Sequence, residues 1–240
     1  MNQIIDTHGH YVFCVDDGAE SLDMSMEMIR AAYEQGARHI FCTSHDSASV
    51  LFYKRNLKTL QERVKESGMD VTLHPGCEVY CDENGMGQVI ESLENGEVLP
   101  LGASNYVLME FAPWVCGEEL VSCVSRLRAE TDFEPVIAHI ERYIWLRDDP
   151  DIFQIIREHQ LAVQVNAYSL GETGNESIRD FARRLLQEKL VTFIGSDTHG
   201  TGYRPVSLAS GVRYIHETCD GEYAANVCWR NAERMLVEGK

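Results

Sequence analysis

Two histidines one residue apart, His8 and His10, open a scattered set of metal-ligating side chains that continues through Asp17, His45, Glu78, Glu110, His139, Asp197 and His199. An extended stretch through Gly9 turns both imidazoles to the same side, where they can grip one ion. Five imidazoles and four carboxylates, with no thiolate among them, suit borderline cations such as Mn²⁺, Fe²⁺, Co²⁺ or Zn²⁺ better than Ca²⁺. Nine donors are too many for a single ion. Two or three ions with bridging carboxylates account for the set, and clustered ions of this kind are suited to phosphoester cleavage. Taken singly, each of these residues reads as an ordinary hydrogen-bonded side chain, so the case depends on where they fall along the chain.

Their places are set by short apolar, β-branched segments at 4–8, 38–44, 71–73, 106–109, 135–138, 161–165 and 191–194, each of which reads as a buried strand. Helical spacing lies between them: Leu22, Met26, Ile29 and Tyr33; Leu120, Val124 and Leu127; Ile178, Phe181, Ala182 and Leu185. Strand and helix in regular alternation imply parallel strands with crossover helices, in an open sheet or a closed barrel. The first strand runs into His8-Gly9-His10 where a dinucleotide-binding sheet would carry its glycine fingerprint, which favours the barrel. Barrels place chemistry at the carboxyl ends of strands. Here six of the seven predicted strands run into members of the set; the sixth strand, ending at Asn166, is the exception. So many acids and imidazoles at one mouth would leave like charges poorly compensated without cations.

The remaining features set bounds. The chain has 240 residues, 44% of them hydrophobic, and no linker or repeat divides it, so one domain over residues 1–240 is expected. A net charge of −17 repels polyphosphate backbones and disfavours nucleic acid as a partner. The N-terminus lacks the pattern of a secretory signal, and no apolar run approaches the ~20 residues of a membrane span. A cytoplasmic address with no direct membrane insertion follows, in which the eight cysteines stay reduced. Cys228 and Arg234 match the C-x5-R spacing of cysteine-dependent phosphatases, but the residues between them lack phosphate-cradling glycines and read as helix. His39, His74, His159 and His216 read as structural.

Seven segments together resemble the polymerase and histidinol phosphatase family, over roughly residues 4–210: Asp6-Thr7-His8-Gly9-His10, Asp16-Asp17-Gly18, Thr43-Ser44-His45, Gly76-Cys77-Glu78, Met109-Glu110-Phe111, the run Ala138-His139-Ile140-Glu141-Arg142-Tyr143, and Ser196-Asp197-Thr198-His199. The nearest branch is similar to the manganese-dependent tyrosine phosphatases of capsule and exopolysaccharide clusters in Gram-positive bacteria. The resemblance implies an α/β fold, a distorted seven-stranded barrel, and three metal ions with manganese favoured. By the same resemblance His8, His10, Glu78 and Asp197 hold the first ion. Glu78 bridges to a second, completed by Glu110 and His139, and Asp17, His45 and His199 hold a third. Arg142 and Arg204 match arginines that hold phosphate; the plain alternative for each is a salt bridge to an acid such as Glu141. The implied reaction is in-line attack on phosphorus by a metal-held water or hydroxide, with Glu78 and Asp197 indispensable. The implied partner is the tyrosine-rich C-terminal tail of a kinase. Two other functions use the same residues: a small-metabolite phosphatase of the histidinol phosphate type, and a catalytically idle metal-binding module in a kinase complex. That all nine ligand positions are filled weighs against the idle module.

Overall fold

A computed structural model describes residues 3–171 and 175–236. The chain order is β1 (Ile4–Asp6), α1 (Leu22–Glu34), β2 (Ala37–His45), α2 (Val50–Ser67), β3 (Thr72–Tyr80), α3 (Met86–Glu94), β4 (Tyr106–Glu110), α4 (Gly117–Glu130) and β5 (Glu134–Ile137). A single 3-10 turn at Ile140–Arg142 leads to α5 (Ile144–Asp148), α6 (Ile152–Glu158), β6 (Ala162–Asn166), α7 (Ala167–Leu170), α8 (Glu176–Gln187), β7 (Phe193–Gly195) and α9 (Ala209–Thr218). The C-terminal segment winds through α10 (Gly221–Ala225), a π turn at Asn226–Arg230 and α11 (Asn231–Glu233). No described helix is long and apolar enough to cross a membrane.

Local chemistry explains several boundaries. Ser21 caps α1 by accepting from the Met24 N–H, with Asp23 in the first turn, and Met28, Ile29 and Ala32 form its buried face. Asn175 caps α8 by accepting from the Ser177 and Ile178 N–H groups. Gly68 ends α2 in the left-handed conformation at φ 72°, which a residue with a Cβ adopts only at a cost. The third strand runs on to Tyr80, well beyond the predicted 71–73, and takes Pro75 into its interior. Pro75 is tolerated there because its ladder with β4 begins only at Glu78, so the N–H that proline lacks has no strand to meet.

The strands lie in the order β1 to β7, every neighbouring pair parallel. The sheet curls until its ends meet: the Thr7 N–H and Oγ1 both donate to the Ile194 carbonyl, at 3.2 and 2.8 Å, and Gly9 bridges Thr198. This is the nearly closed seven-stranded barrel expected from the alternation. Helices cover the strands outside, which explains why most strand residues are buried on both faces. Inside, Ile5, Phe41, Leu108, Val136 and Phe193 form an apolar layer with Ala232 and Met235 of the C-terminal segment.

Side chains two residues further along a strand share its face. The positions after Leu108 and Phe193 on that face are therefore Glu110 and Gly195, and the interior turns polar toward the carboxyl ends. A Cβ on Gly195 would stand 2.5 Å from His8 Cβ and 3.0 Å from the His8 nitrogen, so this glycine makes room for an imidazole. Gly195→Ala is expected to cost about 1–3 kcal/mol through overpacking. Urea unfolding reads this as a lower midpoint at unchanged slope; an unaltered midpoint would show that the His8 backbone yields freely.

Candidate metal centre

Hydrogen bonds between the segments leaving β1 and β7 bring the first ligands together. Asp6 is buried and its carboxylate accepts from the Ser196 N–H and the Tyr11 hydroxyl, both at 2.7 Å. Ser196 Oγ and the Asp197 N–H donate to the His8 carbonyl at 3.1 and 2.7 Å, and the His10 N–H donates to the Thr198 carbonyl at 2.9 Å. His8, His10, Asp197 and His199 are thereby held on facing segments.

Three of the five imidazoles are oriented by a partner on the far nitrogen, while His139 Nδ1 has none among the described residues. His8 Nδ1 donates to Gln164 Oε1 at 3.2 Å, His10 Nδ1 to Asp16 Oδ2 at 2.8 Å, and His199 Nδ1 to the Asp197 carbonyl at 3.1 Å. The Nε2 atoms of His8 and His10 lie 3.1 Å from Glu78 Oε2, and 3.7 and 3.8 Å from Asp197 Oδ1. Yet neither Nε2, nor Asp197 Oδ1, is engaged in a hydrogen bond. Buried nitrogens and an oxygen aimed at one point without bonding each other are donors suited to a cation, and the outer partners fix the tautomer a cation requires.

Glu78, at the centre, is about 1% exposed. Its Oε2 also lies 3.5 Å from His45 Nδ1, and its Oε1 is 2.8 Å from His139 Nε2. Glu110 approaches His45 at 3.8 Å and His139 at 3.6 Å. Asp17 reaches in from its exposed loop to 3.5 Å from both His45 Nε2 and His199 Nε2. Three groups can each surround an ion: His8 with His10 and Glu78; His45 with Glu78 and Glu110; and His10 with Asp17, His45 and His199. All nine sequence-predicted ligands thus meet at one mouth. Their grouping differs from the implied one: His10 stands with Asp17, His45 and His199 as well as with His8, His45 rather than His139 stands with Glu78 and Glu110, and Asp197 joins none of the three groups.

The two arginines are close by. Arg142 Nη1 donates to Asp197 Oδ2 at 2.9 Å, and Arg204 Nη2 donates to the same oxygen. Each arginine is thus in a salt bridge, the plain alternative, but with Asp197 rather than Glu141; the Glu141 carboxylate is turned inward to accept from the Asn166 N–H and Ser169 Oγ, and burial pushes it up to about 7. Arg204 Nη1 also donates to His199 Nε2 at 3.0 Å, so that bond and an ion on this nitrogen exclude each other. His139, Asp197 and Arg204 have φ of 28°, 50° and 46°, left-handed backbone of the kind that persists where surrounding structure over-determines a site.

Three contributors escaped the sequence reading: Asp16, Gln164 and Asn166. Asp16 holds His10 and also accepts from the His45 and Gly18 N–H groups. Despite burial, its bonds and charge attraction to His10 draw it down to about 2. Gln164 Oε1 additionally takes the His139 N–H at 2.7 Å, its Nε2 donates to Asn166 Oδ1, and Asn166 Nδ2 donates to Asp197 Oδ2 at 2.8 Å. The sixth strand carries no ligand, yet it links His8, His139 and Asp197. Cys228, by contrast, lies buried in the π turn, and burial pushes its thiol up to about 12, unlike a nucleophile.

Burial opposes charge on His10, but the Asp16 hydrogen bond and the adjacent charges of Asp16 and Glu78 outweigh it and lift the imidazole to about 10. His8 is likewise raised, against burial, by Glu78 and Asp197, and Glu78 is held well below the ordinary carboxylate range by its imidazoles. Without a cation, protons occupy the His8 and His10 nitrogens that a cation would use, whereas burial pushes His139 down and His199 down to about 4. Metal binding is therefore expected to release protons and to tighten as pH rises through neutrality. Calorimetry in buffers of different ionisation enthalpy measures the release, and binding with no proton released would contradict it. Asp16→Ala is expected to weaken metal binding about 10–100-fold, read by chelator competition; wild-type affinity would show that His10 needs no such support.

Comparison with known proteins fits this geometry. Tyrosine-protein phosphatase YwqE of Bacillus subtilis is 29% identical over 243 residues, covering 97% of this chain and 91% of that protein. Tyrosine-protein phosphatase CpsB of Streptococcus agalactiae serotype V is 27% identical over 244 residues, covering 97% and 98%. A crystal structure from work on YwqE of B. subtilis and CpsB of Streptococcus pneumoniae, described as unique metal-dependent tyrosine phosphatases, superposes with a TM-score of 0.88 at 26% identity, covering 99% of this chain and 96% of that one. Histidinol phosphate phosphatase of Lactococcus lactis, at a TM-score of 0.60 and 15% identity, shares the fold. The model of the capsular polysaccharide synthesis family CpsB/CapC matches residues 4–237, which take in every strand of the barrel and all nine converging side chains, and the chain belongs to that family.

Proposed function

We propose that this protein is a metal-dependent phosphomonoester hydrolase that removes phosphate from tyrosine side chains of a protein, the most fitting substrate being the tyrosine-rich C-terminal tail of a cytoplasmic-facing kinase of polysaccharide synthesis. One observation carries the reading: unpaired donors of His8, His10 and Asp197 converge beside Glu78, with two arginines at their edge. Two or three divalent ions fit the donor set, Mn²⁺ first and Fe²⁺, Co²⁺ or Zn²⁺ after it. Bound there, they would polarise the phosphoryl oxygens and acidify a water for in-line attack.

The chain's own residues do the rest. Glu78 faces imidazoles through both oxygens and would serve as a shared ligand for the ions. Asp197 divides its work, offering Oδ1 to the centre while Oδ2 accepts from Arg142, Arg204 and Asn166. A phosphoryl group at the mouth competes for both guanidinium groups, which then carry charge developing on its oxygens. The leaving tyrosine has a pKa of ~10, far below an alkyl alcohol, and departs with little protonation. A protein-sized substrate also suits the rim. Leu51, Phe52, Tyr80, Trp114, Ile144, Trp145 and Tyr203, the exposed large apolar side chains among the described residues, all lie at or after the carboxyl ends of strands.

Chelation is expected to abolish hydrolysis of p-nitrophenyl phosphate and of a phosphotyrosyl peptide, with one or more of the four cations restoring it. Glu78→Ala should lose metal and turnover together, whereas Arg142→Ala should keep its metal and lose about 10²–10³-fold in kcat. Hydrolysis that survives chelation, or a Glu78→Ala protein with normal metal content and rate, would overturn the reading.

A further inference from the structure

Beside the two arginines a cleft of about 500 Å³ opens between the segments leaving β6 and β7. Arg142, Asp197 and Arg204 lie on its polar side, and Tyr168, Ile178, Tyr203 and Pro205 supply its apolar walls. We propose that this cleft is an aryl subsite, in which Tyr168, Ile178, Tyr203 and Pro205 receive the phenyl ring of a phosphotyrosyl side chain while its phosphoryl group rests on Arg142 and Arg204. The proposal rests on the hydrolase reading for the position of the phosphoryl group.

Three observations carry it. The volume lies within the range of small-ligand pockets, and apolar walls meeting a few convergent charges are what a ring bearing an anionic group requires. Tyr203 is 78% exposed, immediately before Arg204, so its ring is free to lie against an incoming one. The third observation concerns charge. Among the described residues lining the cleft the one acid is Asp197, and its Oδ2 is already taken by Arg142, Arg204 and Asn166. Apart from Asp197, whose open oxygen faces the metal centre, no carboxylate among the described lining residues meets the ammonium of an amino-alcohol phosphate, so these walls favour an uncharged ring over a histidinol-like group.

Phenylphosphonate and methylphosphonate share an anionic head and differ in the ring, which makes them direct probes. Titration calorimetry on the manganese-loaded full chain is expected to show phenylphosphonate binding at least about tenfold tighter. Tyr203→Ala should remove most of that preference and leave methylphosphonate affinity unchanged, while Tyr203→Phe should keep it, since the ring and not the hydroxyl makes the contact. Equal affinities for the two phosphonates in the wild-type chain, or a Tyr203→Ala variant with its preference intact, would overturn the subsite even if phosphotyrosyl peptides are hydrolysed. A ring preference that depends on Tyr203, in a protein that hydrolyses no phosphomonoester, would keep the subsite and reject the hydrolase reading.

Discussion

The buried carboxylate of Glu78 is the point around which the molecule is organised. It ends in a space reached by His8 and His10 at 3.1 Å, His45 at 3.5 Å and His139 at 2.8 Å, side chains that enter from the exits of three other strands. Removing a charge from water costs several kcal/mol unless partners replace the solvent. Only a fold that delivers positive or metal-binding groups from several directions can keep Glu78 ionised at about 1% exposure. A parallel barrel does so, because every strand points its carboxyl end at the same opening.

The same constraint explains the polar scaffold behind the imidazoles. A ring that must present one nitrogen to a cation needs its other nitrogen held, and Gln164, Asp16 and the Asp197 carbonyl do this for His8, His10 and His199. Gln164 and Asn166 then join that scaffold to Asp197, whose free oxygen faces the centre and whose other oxygen gathers the arginines. The proposed metal chemistry and phosphate binding would thus be linked through one aspartate. Its backbone is left-handed, at φ 50°, as at His139 and Arg204 of the same site.

Much of this was legible in the sequence because the ligands are charged or titratable residues at the ends of apolar runs. The short apolar, β-branched runs located six exits, and the family resemblance located the arginines. What escaped was of a different kind. Gln164 and Asn166 are neutral polar residues inside or at the end of a strand, where nothing in type or spacing separates an orienting hydrogen bond from an ordinary one. Asp16 was hidden by its neighbour Asp17, the residue with the ligand position. The third strand looked short because Pro75 reads as a strand breaker, and only the late start of the β4 ladder shows why it is harmless. Helix α2 carries Tyr53, Leu57, Leu60 and Val64 on its buried face, but the charged residues crowding the spaces between them mask that stripe in the sequence. The grouping of His10 with Asp17, His45 and His199 depends on ring tilt and loop reach, which no spacing encodes.

Anomalous scattering from crystals soaked in Mn²⁺ tests the central claim most directly. At least two peaks are expected at bonding distance from Glu78, with His8, His10 and Asp197 around one and Glu110 and His139 around another. Peaks confined to other faces of the molecule, or none within reach of Glu78, would contradict it.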